Sequence, residues 1–304
     1  MTATQLLELV AIVQLPDLII TATRSRFTGI EAMGLLLARF RNSGDQYNLS
    51  TMYGRSQSAI SEIVNWMVEF LDEKWKHLLD WDHQYLLSEE NLCIYGQAIY
   101  NQGAPVNTVF AWPDCTKFFI CRPCLHQRVA YNGHDRVHCL KFQAITLPNG
   151  IIANLYGPVE GRRHDMALWE DSGIPAKLAA HAFVSDPSNP GERHPYQIYG
   201  DAAYGISPHI LIPFSGAGQR SEEELAWNSL MGKGRVSVEN GFAIVLGLWP
   251  FLRAWWKMKV YGSPIGHYYR VSVLLTNALN CMVPNQIAHR FNCQPPSLQE
   301  YFHE

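Results

Sequence analysis

Asp114, Asp165, Asp201 and Glu239 follow one another at intervals of 51, 36 and 38 residues. Asp114 follows a strand-like run, Asp165 follows a strand pair and opens a helical stretch, Asp201 ends a short apolar strand, and Glu239 lies in a helix. Acids at the C-terminal ends of strands can converge on one edge of a sheet, and a helix packed there can add another. Hard divalent cations such as Mg²⁺ take oxygen ligands and keep several waters. Two such ions about 3.5–4 Å apart can activate a water and stabilise the leaving oxygen in phosphodiester cleavage. Surface acids are common, so the spacing alone is a weak signal. It leaves Asp165 and Asp201 unranked. Asp201 is favoured because it ends its strand directly, whereas Asp165 stands where it would cap a helix.

Other chemistries are sparser. Cys121 and Cys124 form C-x₂-C, and His134 with His138 forms H-x₃-H, with His126 and Cys139 nearby. The nine-residue linker between the pairs is shorter than in a zinc finger, and zinc is not the metal expected. There is neither a Gly-x-Ser-x-Gly element nor a Gly-x-x-x-x-Gly-Lys loop. Gly232-Lys233-Gly234-Arg235 reads as a basic connector before a helix. His164 reads as a positioning residue, because adjacent side chains rarely address one substrate atom.

The elements that must hold these acids fall into two regions. Residues 1–100 read as helical. Within them Ile60, Ile63, Val64, Met67 and Leu71 repeat at helical spacing, with Gly54 before them and Ser56 or Ser58 as cap. A short helix, a glycine turn and a longer helix make a helix-turn-helix candidate, with Arg55 at the start of its second helix. The rival reading is an ordinary helical hairpin. From residue 101 the texture is mixed α/β. Strands are expected over Val106–Phe119, with a turn at Pro113-Asp114, and over Val137–Leu147. A turn at Pro148-Asn149-Gly150 leads to a partner strand, Ile151–Tyr156. Helices are expected over Asp165–Leu178, Val236–Trp249 and Ser272–Met282, and a short strand over Tyr196–Tyr199.

The chain has 304 residues, 47% hydrophobic and 17% charged, with a net charge of −3. This composition supports a large core and excludes general disorder or a polybasic protein. Charge is unevenly spread: residues 1–100 carry a net −5, residues 101–165 a net +3, and 235–270 hold Arg235, Arg253, Lys257, Lys259 and Arg270 against Glu239 alone. Basic segments that each contain an isolated acid suit a metal site beside a phosphate backbone. Arg122, Arg128, Arg162, Arg163, Lys257 and Lys259 are the candidate phosphate contacts of the α/β region, with Arg55 the candidate on the helices. Trp249 reads as core. Trp255 and Trp256 read equally as core or DNA-facing. No stretch is long and apolar enough for a membrane span. Seven cysteines in a long chain suggest thiols of a reducing compartment, the cytosol or nucleus.

Four segments resemble the PIF/Harbinger transposase family, which includes the domesticated Harbinger-derived nucleases. Trp112-Pro113-Asp114-Cys115-Thr116 resembles its strand-end Asp-Gly-Thr, with Cys115 in place of the glycine. Gly161-Arg162-Arg163-His164-Asp165 is similar to its Gly-x-x-His-Asp, and Tyr199-Gly200-Asp201-Ala202-Ala203-Tyr204-Gly205 to its Gly-Asp-Ser/Ala-Gly/Ala-Tyr. Val236-Ser237-Val238-Glu239-Asn240-Gly241-Phe242 resembles its Glu-bearing helix. The order agrees, and the likeness covers roughly residues 105–285. The helix-turn-helix candidate also resembles that family's leader region.

The resemblance implies a ribonuclease-H-like mixed sheet flanked by helices over residues 101–304, preceded by the helical region 1–100. It implies DDE-type cleavage and joining of DNA ends with Mg²⁺ or Mn²⁺, two ions, held by Asp114, Asp201 and Glu239, with Asp165 a fourth ligand or a supporting acid. It also implies a nuclear protein, DNA as substrate, and a separate Myb/SANT-like DNA-binding partner. An oligomer is compatible with it. A domesticated, catalytically weak copy that serves as a DNA-binding or scaffold protein is the alternative, and Cys115 points that way.

Overall fold

The computed structural model describes residues 1–186, 189–215, 218 and 220–303. The N-terminal region builds α1 (Ala3–Ile12), a hairpin of β1 (Leu18–Ile20) and β2 (Arg26–Thr28), then α2 (Gly29–Arg41), α3 (Gln46–Tyr53), α4 (Gln57–Trp75) and α5 (Glu89–Asn101). The α/β region contributes β3 (Val109–Phe119), α6 (Gln127–Ala130), β4 (Tyr131–Asn132), β5 (Val137–Thr146) and β6 (Ile152–Glu160). After these come α7 (Asp165–Asp171), α8 (Ile174–His181), β7 (Phe183–Asp186), β8 (Asn189–Pro195), β9 (Gln197–Tyr199) and β10 (Ile210–Leu211). The chain closes with α9 (Glu222–Leu248), α10 (Ile265–Met282), α11 (Gln286–Phe291) and α12 (Leu298–Tyr301). Among the described residues no helix is long and apolar enough to cross a membrane.

Five features differ from the expectations. The N-terminal region is not purely helical, because Leu18–Ile20 and Arg26–Thr28 pair as a short hairpin. Pro113-Asp114 is no turn: β3 runs straight through it, with Pro113 opposite Ile145. Proline is tolerated there because the pairing of β3 with β9 has ended at Ala111, so a missing N–H removes little from the sheet. The hairpin partner β6 extends to Glu160. The stretch 165–178 is two helices, broken at Ser172-Gly173. Gly232-Lys233-Gly234-Arg235 is helix interior, because α9 starts at a Ser221/Glu224 capping box with three glutamates in its first turn.

The mixed sheet has the order β10-β9-β3-β5-β4, with β6 also on β5. β5 is antiparallel to β3 and to β6, joined to β6 by the expected turn at residues 148–150. β9 is parallel to β3, and β10 parallel to β9. The parallel pairs point their C-terminal ends the same way, which no hairpin would achieve. Cross-strand partners share a face. Trp112, Asp114 and Phe118 therefore stand on one face with Thr146, Ala144 and Leu140, and Cys115 and Lys117 on the other with Gln143 and Lys141.

α9 lies on the Trp112 face. A Cβ at Gly234 would come within 3.0 Å of the Trp112 ring, and one at Gly241 within 3.3 Å of Thr146 Oγ1. The two glycines, seven residues apart on one helix face, let the helix backbone approach the sheet. α10 covers the same face further along, where Tyr269 stacks on Phe142 with ring centroids 4.4 Å apart.

The leading helices share this core. Ile60, Ile63, Val64, Met67 and Leu71 of α4 are buried, in one apolar cluster with the sheet. Asp72 of α4, 1% exposed, takes both Nε (2.6 Å) and Nη2 (2.8 Å) of Arg270 on α10. Asn154 of β6 donates to the Leu79 carbonyl. Arg270 is thus an internal ion-pair partner, not part of a solvent-facing basic segment. α3 and α4 form the expected helix pair, with Gly54 left-handed between them (φ 63°) and Ser56 capping the Ala59 N–H.

Candidate active site

The register of β3 and β9 sets the geometry. Ala111 pairs with Ile198, and Asp114 and Asp201 each lie three residues further on. Between them Gly200 passes Pro113 so closely that a Cβ would sit 3.2 Å from its ring. Asp201 then turns into a short 3-10 segment, Ala202–Tyr204, and accepts a hydrogen bond from the Ala203 N–H. From above, α9 supplies Glu239 and, one turn earlier, Arg235. The Arg235 guanidinium lies 3.7 Å from Asp201 Oδ2 and 3.6 Å from Glu239 Oε1. The side chains of Ser237 and Val238 lie outside the described residues.

Asp114 is the most enclosed of the three acids. Burial pushes its carboxyl above the usual carboxylate range; the Cys115 N–H and Arg235 pull it down, and Glu239 and Asp165 push it up again. Asp114, Asp201 and Glu239 thus face one guanidinium. If all three are ionised, a surplus of negative charge remains. Among the described residues no three His, Cys, Asp or Glu side chains stand close enough to hold a metal ion together.

Asp165 reaches the group from the other face. It is the first residue of α7, and it accepts a 2.6 Å hydrogen bond from Lys141 Nζ. Lys141 also donates to the Arg163 carbonyl at 2.8 Å, and its side chain is 7% exposed. Cys115 sits on this face too. Its backbone avoids positive φ, so the position does not need a glycine's conformational range. Its thiol lies 3.4 Å from the buried Tyr204 hydroxyl, and burial raises both groups far above their ordinary values.

Asp165→Asn should therefore act first on stability. It leaves the Lys141 ammonium buried without its carboxylate, at a cost of about 1–3 kcal/mol. This lies between exposed and fully buried pairs because the carboxylate is 38% exposed. Lys141→Met combined with Asp165→Asn should recover most of the loss. Urea unfolding followed by tryptophan fluorescence checks this; a double variant no more stable than Asp165→Asn would contradict it.

The candidate phosphate contacts divide in two. Arg55 is forked onto Glu31 (2.8 and 2.9 Å) and lies over the Phe27 ring. Arg163 pairs with Asp171, Lys257 with Asp45, and Arg122 Nε donates to Gln127. Arg128, Arg162 and Lys259 are exposed. Trp249 is buried and donates to Thr276 Oγ1, whereas Trp255 and Trp256 are each 52% exposed. The Cys121 thiol is directed at the carbonyls of those two tryptophans, and all seven cysteines are free.

Sequence reasoning passed over Arg235 and Lys141. Arg235 appeared only as part of a basic segment, although its position four residues before Glu239 puts both on one helix flank. A single lysine within the apolar run of β5 was the available signal for Lys141.

Residues 113–277 match the family model of the DDE superfamily endonucleases, a stretch that contains all four acids. No curated protein and no solved structure matches the chain. With more than half of its length inside that model, from the strand bearing Asp114 to the helix that covers the sheet, the chain belongs to the DDE superfamily endonucleases.

Proposed function

We propose that this chain is a divalent-metal-dependent DNA endonuclease of the transposase type, with Asp114, Asp201 and Glu239 as its metal-holding acids. One observation carries the reading: parallel pairing of β3 and β9 puts two aspartates at equal offsets on one sheet end, and α9 lays a glutamate over them. The donor chemistry suits hard cations, since it is all carboxylate oxygen and carries excess negative charge, and the three side chains would have to draw together to share an ion. Mg²⁺ or Mn²⁺, two ions, would be held there; when bound they activate water and stabilise the leaving oxygen. The chain's own part is to aim the carboxylates. Exposed cations such as Arg128, Arg162 and Lys259 hold the DNA backbone by charge rather than by sequence.

The resemblance of the four motifs to PIF/Harbinger transposases supports placing the chain in that branch, with a ribonuclease-H-like sheet. It also supports nuclear action beside a Myb/SANT-like DNA-binding protein. Purified protein should nick supercoiled plasmid with Mg²⁺ or Mn²⁺, stop on chelation and resume when the cation is restored. Absence of nicking with both cations would overturn the reading.

A further inference from the structure

Arg235 is placed unlike an ordinary surface arginine. Its side chain is 23% exposed, against 50% for Asp201 and 61% for Glu239, so it is more enclosed than the two acidic side chains it faces. Asp114 also feels its charge. A guanidinium does not lose its proton in a protein, so this positive charge is permanent. Yet both contacts, at 3.6 and 3.7 Å, exceed hydrogen-bond distance, and among the described residues the side chain makes no hydrogen bond. Charge rather than a hydrogen bond links Arg235 to the acids, and a rotation about its flexible side chain would take it out. The helix backbone need not move, since α9 is fixed on Trp112 and Thr146 at Gly234 and Gly241.

We propose that Arg235 is a built-in counter-ion that occupies the place of the divalent cation, competes with it, and swings aside when the cation enters. The inference rests on the reading of Asp114, Asp201 and Glu239 as the metal-holding acids. In the metal-free protein Arg235 offsets the mutual repulsion of the carboxylates, and with metal present it opposes binding. The site is then held together without metal and loads only when cation concentration is high enough to displace the arginine.

The test is Mn²⁺ binding to the full chain without DNA, by isothermal titration and by the electron paramagnetic resonance signal of free Mn²⁺. Arg235→Gln removes the competing charge and should tighten Mn²⁺ binding by roughly tenfold, as expected for removing a unit charge a few ångströms from a divalent ion. Arg235→Lys, which restores the charge, should return the affinity toward that of the unaltered protein. Without metal, Arg235→Gln should melt below the unaltered protein, and its gain on adding Mn²⁺ should be larger. Equal or weaker Mn²⁺ binding by Arg235→Gln overturns the competition. Absence of Mn²⁺ binding by the unaltered chain overturns the metal-site reading itself, and the inference with it.

Discussion

Asp201→Asn and Glu239→Gln will each lower Mn²⁺-dependent nicking of supercoiled DNA by more than about a hundredfold and leave the far-ultraviolet circular dichroism unchanged. Changing a residue that merely supports a metal ligand typically costs 10–100-fold, so loss of a charged ligand should exceed that range. Both substitutions keep shape and remove charge. Both residues are half or more exposed, with Asp201 at 50% and Glu239 at 61%, so neither change opens a cavity. Asp201 also accepts the Ala203 N–H, a bond that an asparagine carbonyl can keep. The folded state should therefore survive while turnover disappears. Retained cleavage in both variants would sink the assignment of these acids. A loss confined to one would show that the other is not needed.

Asp72→Ala should produce the largest loss of stability, about 3–5 kcal/mol, because it leaves a largely buried guanidinium without its carboxylate. The fork from Arg270 to Asp72 is short on both arms, at 2.6 and 2.8 Å. Arg270 also donates to the Gly157 carbonyl, so it cannot easily turn toward solvent. Replacing both partners, as Asp72→Leu with Arg270→Met, should be near neutral, since apolar packing then replaces a desolvated pair. The midpoint of urea unfolding measures each change. An Asp72→Ala protein as stable as the unaltered one would show that the pair carries no net weight.

Much of the sheet was legible because its signals are local. The run Val137–Leu147, the Pro-Asn-Gly turn and the following apolar residues give β5, the turn and β6 nearly in place. The element ends at Asp165 and Asp201 could be read for the same reason. Pro113 misled because proline usually breaks a strand. Its tolerance depends on where β9 stops pairing with β3, which is a property of the assembled sheet. The glycines at 232 and 234 misled similarly. They suggest a loop, whereas Gly234 is used for contact between α9 and Trp112. The β1–β2 hairpin, three residues a side, is too short to show a period. At the site, residue types revealed the acids. Nothing local shows that Lys141 would emerge on the face opposite Glu239, or that Arg235 would reach Asp201 from another element.

The fork between Asp72 and Arg270 also bears on ancestry. It crosses from the leading helices to the helix that covers the mixed sheet, beside the shared apolar cluster. Without the helices of residues 1–100, the carboxylate that neutralises Arg270 and the wall against which α10 packs would both be missing. The α/β region should therefore not stand as a stable unit by itself. Descent should thus have kept the two regions together.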